Sequence, residues 1–448
     1  MLVHSCAHTS RLIAVAAVAL ALMPGARLAA QTETRQVSVE SLVYDLKNPD
    51  PPRRQAAARG LGMAKYQAAT PDLVALAHDP VPAVRREVEL ALERMADMRA
   101  LPGFVAFASD AEADIRSRAT ASLVSIHLPR ETGLVPKLSK LAEAIMLSPE
   151  PDLDQVVEPD VPVDPIVIST LITRIGDSER AIRRTAIRGL GILRGTAAVP
   201  DLVRLVREDR DDGLRFDGVR ALRKIGDASI GDDLVSLLNI NTDTVRIELM
   251  ETLGAMRHHG AVPELTRIVE SAPRTDAPRV VALAALADIA DPASVPLFEQ
   301  LKADKNEQIR LFANEGMART ASRESKTAIS AARLVEKSSR VRTAQAFALL
   351  RIGESEYLDE LVRALDRAAT KDLAKEYLLE TSPSDRQALF APRDATPGAR
   401  AGLADVLGKI GDPGALPRLQ ELSNDTDSEV ARAAARAARR IAGTNSSQ

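Results

Sequence analysis

Four apolar positions spaced +4, +4 and +3 return along the chain as one column. Val84, Val88, Leu92 and Met95 define it, and it recurs as Ile115, Ala119, Leu123, Ile126, as Ile182, Ala186, Leu190, Leu193, and as Leu214, Gly218, Leu222, Ile225. It continues as Val245, Leu249, Leu253, Met256, as Ala399, Leu403, Leu407, Ile410, and as Val430, Ala434, Ala438, Ile441. These spacings keep one face of an α-helix, so each column predicts a helix with one buried stripe. An arginine follows the first column position at Arg54, Arg85, Arg116, Arg183, Arg215, Arg246, Arg279, Arg310, Arg342 and Arg400. Most steps between these arginines are 31 to 33 residues, and the gaps of 67 after Arg116 and 58 after Arg342 are each close to two periods.

A second signal, small-apolar-Pro, marks a partner helix in each unit: Ala69-Thr70-Pro71, Ala100-Leu101-Pro102, Ala198-Val199-Pro200, Ala261-Val262-Pro263, Ser294-Val295-Pro296 and Ala415-Leu416-Pro417. Proline lacks an N–H and has a fixed φ, both of which suit a first helical turn. Gly226, Gly254, Gly353 and Gly411 are expected as left-handed caps at the other helix ends. The pattern predicts an all-α chain of about eleven stacked two-helix repeats.

Segments such as Leu222-Arg223-Lys224-Ile225-Gly226-Asp227 and Leu407-Gly408-Lys409-Ile410-Gly411-Asp412-Pro413-Gly414-Ala415-Leu416-Pro417 resemble short HEAT repeats of the phycobilisome-lyase type. The resemblance implies an armadillo-type, right-handed α-α superhelix with the column helices toward its inner face. It says little about function, because stacked helical pairs host unrelated activities.

Two stretches break the period. Ser148 to Pro165 holds five prolines and six acids with no basic residue, and is expected to be extended and solvated. Pro383, Pro392 and Pro397 crowd a second. The expected organisation is a targeting segment over 1–30, repeats over 31–147, an acidic proline-rich loop over 148–165, repeats over 166–370, an irregular repeat over 371–397 and repeats over 398–448.

Met1 to Arg11 carries positive and no negative charge, Leu12 to Met23 is an apolar run too short to span a bilayer comfortably, and Leu28-Ala29-Ala30 resembles a cleavage site. The expected location is therefore the periplasm or the cell exterior, with a mature chain starting near Gln31. Its single cysteine, Cys6, falls in the targeting segment, so the mature chain offers no thiolate for catalysis, metal or disulfide. Without Arg11 and Arg27 the balance is 57 basic to 62 acidic groups, which gives no bulk drive toward nucleic acid.

The repeated arginines admit two readings, a charged binding ladder or a stacking device. The stacking reading takes Arg85, Arg116, Arg183, Arg215, Arg246 and Arg310 to pair with aspartates of the preceding turns, with Asp110, Asp209, Asp243, Asp276 and Asp304 as partners. A further, unrepeated set comprises Arg180, Arg184, Arg188 and Arg194 on one column helix and Arg220, Arg223 and Lys224 on the next. Of these, Arg184, Arg188, Arg220 and Arg223 are the candidate contact surface for a partner, an acidic one given their charge.

Asp209 to Gly213 imitates a calcium loop but has Arg210 where a ligand belongs, and reads as an inter-helix turn. His78, His127, His258 and His259 form no His-Glu pair, unlike the HEAT-like iron enzymes that hydroxylate deoxyhypusine, and His258-His259 reads as a solvated pair. No metal, cofactor or catalytic residue is expected. The functional expectation is an exported scaffold or adaptor for a protein or peptide. The alternatives are a lyase-like accessory factor holding a tetrapyrrole-type ligand or its acceptor protein, and a purely structural spacer.

Overall fold

A 3-10 turn precedes most of the first helices, and the signal proline then occupies the second helical position, as at Pro71, Pro102, Pro200, Pro296 and Pro417. The computed structural model describes residues 38–128, 156–158, 161–271 and 277–445. The expected targeting segment, residues 129–147 and most of the acidic loop lie outside the described residues, as does Asp276.

The described residues form 24 α-helices and no strand. In chain order these are α1 Val39–Asp45, α2 Pro51–Ala64, α3 Thr70–Val74, α4 Pro82–Met95, α5 Leu101–Phe107, α6 Ala113–Ser125, α7 Pro165–Arg174, α8 Arg180–Ile192, α9 Val199–Glu208, α10 Asp212–Ile225, α11 Gly231–Ser236 and α12 Asp243–Ala255. They continue as α13 Val262–Ser271, α14 Ala277–Ile289, α15 Val295–Leu301, α16 Glu307–Thr320, α17 Lys326–Val335, α18 Ser339–Arg351, α19 Tyr357–Ala364, α20 Lys371–Leu379, α21 Pro383–Ala388, α22 Pro397–Ile410, α23 Leu416–Leu422 and α24 Ser428–Asn445. Odd-numbered helices open the units. Even-numbered helices close them and pack on one another in unbroken succession from α2 to α24.

The column residues form the spine of this solenoid: Val84, Val88, Leu92, Ile115, Leu123, Leu190, Leu222, Leu249, Leu253, Leu407 and Ile441 are all fully buried. Among the described residues stand twelve helical pairs, where about eleven repeats were expected. The 58-residue gap holds a whole extra unit, α19 with α20, and a second, short first helix, α21. Across the 67-residue gap, α6 packs directly on α8. Part of the expected solvated loop is tied down: Val157 is buried, and its N–H donates to the Ile192 carbonyl at 2.9 Å. Pro165 opens α7, with Asp164 accepting from the Ile166 N–H at 3.0 Å.

The irregular repeat is docked by aromatic and polar contacts. Tyr377 of α20 stacks on Phe347 of α18 with ring centroids 4.5 Å apart, and its hydroxyl donates to Glu315 Oε1 of α16 at 2.5 Å. Arg319 grips Glu380 through two hydrogen bonds of 3.0 and 2.9 Å. Three even helices are thereby joined at one buried point.

Gly226, Gly353 and Gly411 have positive φ and cap their helices as expected, but Gly254 lies within α12. Its role is close packing. A Cβ on Gly254 would stand 2.9 Å from Ala285 Cα on α14, and Gly62, Gly191 and Gly408 face Ala91, Ala221 and Ala437 at 2.6 to 2.7 Å. Gly254→Val therefore has no room without moving backbone and is expected to cost about 1–3 kcal/mol. Thermal unfolding followed by circular dichroism tests this, and an unchanged midpoint would contradict the tight crossing.

Candidate partner-binding surface

The repeated arginines build a ladder along one edge, where the turns between odd and even helices meet. Arg85 donates to the Asp110 carboxylate at 2.6 and 2.8 Å, and its Nη1 donates to the Asp79 carbonyl at 2.9 Å. Asp79 in turn accepts from Arg54 at 2.7 and 3.1 Å, and its Oδ1 accepts from the Val81 N–H at 2.9 Å. Each turn acid thus fixes its own turn and holds the preceding unit. The expected direction is corrected: the arginine takes the carbonyl of the preceding turn and the carboxylate of the following one.

Arg116 repeats the arrangement with Asp177, Arg310 with Glu336 and Arg400 with Asp425. The Arg85 guanidinium beside Asp110 and the Arg116 guanidinium beside Asp177 hold those carboxyls below their ordinary value against the opposing effect of burial. Arg183, Arg215 and Arg246 do not complete the ladder. Arg183 bonds the Asp177 and Ser178 carbonyls, Arg215 the Val206 carbonyl and Asp212, and Arg246 only Asp243 of its own helix. Ile240 stands six residues before Arg246, where Asp79, Asp110 and Asp177 stand before Arg85, Arg116 and Arg183, so Arg215 meets no carboxylate in the following turn and bonds Asp212 of its own helix instead.

The unrepeated arginines lie on the face of the even-helix row and also reach forward. Arg184 Nε and Arg188 Nε, one turn apart on α8, hold the two oxygens of Asp217 on α10 at 2.8 and 2.9 Å. On α10, Arg223 lies 3.2 Å and Arg220 3.8 Å from Glu248 of α12, and Arg220 also sits over the Phe216 ring at 5.4 Å. Asp217 is 2% exposed and Glu248 5%, whereas the four arginine side chains are 16–39% exposed. The structure thus brings the predicted residues onto one face of neighbouring helices and sets two acids against them: Asp217, which the sequence offers as an offsetting charge, and Glu248, which residue-by-residue reading missed. Their signal was available: Asp217 and Glu248 both stand three residues after a first column position, one repeat beyond the extra arginines.

Other candidates resolve into structure. Asp211, within the imitation calcium loop, caps α10 through the Gly213 and Leu214 N–H groups and pairs with Arg180, which hold its pKa at about 2. The two histidines lie at the surface, His259 exposed, and each also faces an acid of a neighbouring turn: His258 Nε2 lies 2.9 Å from Asp232 Oδ1, and His259 Nδ1 2.7 Å from Asp291 Oδ2. Burial pushes the Glu315 carboxyl up, with Arg319 and the Tyr377 hydroxyl opposing it. Among the described residues no three His, Cys, Asp or Glu side chains converge as for a metal ion. No described helix is long and apolar enough to cross a membrane.

A family model described as HEAT repeats matches residues 39–124, 163–223 and 386–448. Among solved structures, an engineered protein is 21% identical over 90% of this chain and 98% of its own, with a TM-score of 0.37. A structure of Kap95p binding to RanGDP is 13% identical over 90% of this chain and 55% of the other, with a TM-score of 0.48. Human deoxyhypusine hydroxylase in complex with glycerol is 19% identical over 55% of this chain and 96% of its own, with a TM-score of 0.28. No curated protein matches the sequence.

Proposed function

From the premise that this chain is a solenoid of HEAT repeats, we propose that it is an exported, non-catalytic scaffold that holds an acidic protein or peptide against its even-helix row. The glycine–alanine crossings support a curve that closes on this row, because closely spaced helices take the shorter arc. The contact surface is Arg184, Arg188, Arg220 and Arg223. The observation that carries the reading is the sharing of carboxylates. Two guanidiniums share Asp217, and two lie against Glu248 with Glu251 3.8 Å from Arg223, so four arginines present partly exposed N–H edges on one face. Charge-assisted contacts of this kind select acidic partners and weaken with salt.

The test requires a variant that removes charge without stranding a buried acid. Arg184→Gln/Arg188→Gln/Asp217→Asn replaces the ion triad by amides of similar shape. A fluorescently labelled glutamate-rich peptide should bind the unaltered chain in a salt-dependent way and this variant several-fold more weakly. Equal binding would place the surface elsewhere. Export is tested separately by intact-mass analysis of envelope fractions, where a chain beginning near Gln31 is expected and one retaining residues 1–30 counts against it.

A further inference from the structure

The arginine ladder reverses sign at one rung. Arg54, Arg85, Arg279 and Arg400 each reach an aspartate 25 residues on, and Arg310 reaches Glu336, 26 residues on. For Arg342 the residue 25 positions on is Arg367. The neighbouring Asp366 is engaged elsewhere, accepting from Thr396 Oγ1 at 2.7 Å. Where those five units close a carboxylate onto the guanidinium, this unit leaves a cleft of about 310 Å³ between the start of α18 and the end of α19.

Four cations line that cleft: Lys337, Arg342, Arg363 and Arg367. None has an ion-pair partner among the described residues. The one acid in the lining, Glu360, is bound by Arg333 from outside it. Ser339, in the first turn of the 13-residue helix α18, contributes a hydroxyl beside the end of the helix that favours anions. Four cations lining one cleft attract an anion that enters it.

We propose that this cleft binds a small phosphate-bearing anion of about diphosphate size. A single carboxylate brings one charge and two oxygens and would engage two cations at most, as Asp217 does with Arg184 and Arg188. A phosphate group brings about −1.5 to −2 charges and three acceptor oxygens, which suits guanidinium forks grouped around a compact space. The volume lies at the low end for small-molecule sites. The proposal is independent of the Arg184 surface, since the two share no residue.

Isothermal titration of the full chain with sodium pyrophosphate, at two salt concentrations, tests it. Saturable binding that weakens with salt is expected, with a loss of about tenfold or more in Arg342→Gln/Arg367→Gln. Arg367→Asp is the decisive second variant, because it restores the ladder acid. It should fold with an equal or higher melting temperature and lose pyrophosphate binding, which separates site loss from misfolding. Undiminished binding in Arg367→Asp, or absence of saturable binding in the unaltered chain, would overturn the site. Tighter binding of a glutamate-rich peptide than of pyrophosphate would also overturn it, and would join the cleft to a protein-contact surface.

Discussion

Replacing Arg184 and Arg188 together by glutamine is expected to destabilise the units around α10 by about 3–5 kcal/mol, the effect of stranding a buried charge. The reason lies with their partner. Asp217 is 2% exposed, and the two guanidiniums meet its two oxygens at 2.8 and 2.9 Å. Neutral amides restore neither the charge nor the fork geometry, so the carboxylate must ionise without compensation or take up a proton. Adding Asp217→Asn should recover most of the loss, because no charge is then left buried. Unfolding of a solenoid need not be two-state, so hydrogen exchange in α8, α10 and α12 is a better measure than one global midpoint. Exchange unchanged in the double variant would mean that the arginines act only at the surface.

The architecture was legible because its signals repeat. Val84 to Met95 and the equivalent columns specify a buried stripe on every even helix, and a proline after a small residue specifies where each odd helix begins. The direction of the ladder was not legible from neighbouring residues. Arg85 lies six residues after Asp79 and 25 before Asp110, and local reading favours the nearer acid, yet the nearer residue supplies only its carbonyl. Gly254 misled for a similar reason: it stands near a helix end, where a cap is wanted, but its conformation is helical and its partner, Ala285, is one repeat away. Arg184, Arg188, Arg220 and Arg223 could be grouped from sequence, since equivalent positions share a face. Asp217 was legible as an offsetting acid, but its pairing with Arg184 and Arg188, and Glu248 altogether, could be found only by comparing each helix with the next.

Glu89 gives the clearest expected dependence of stability on pH. It is fully buried on α4, with Ser122 Oγ 3.4 Å from one oxygen and Arg118 Nε 3.1 Å from the other, the latter without an aligned hydrogen bond. Burial, followed by the Glu93 carboxylate, pushes its pKa from 4.5 up to about 7, and Arg118 and Ser122 only partly oppose this. The folded protein therefore keeps this proton to about pH 7, whereas the unfolded chain releases it near 4.5. Between those values the folded state binds more protons, so stability from this site is fully present below pH 4.5 and is lost as pH rises through 7. A shift of this size corresponds to a loss on the order of 2–4 kcal/mol. Asp110, Asp177 and Glu336 act in the opposite sense, since their lowered pKa values make their stabilisation present at neutral pH and lost in acid. The difference between Glu89→Gln and the unaltered chain isolates the one site from these. Denaturant unfolding of both should show the variant more stable by that amount at pH 8, with the gap closing toward pH 4.5. A gap that stays constant across this range would mean that Glu89 does not titrate there.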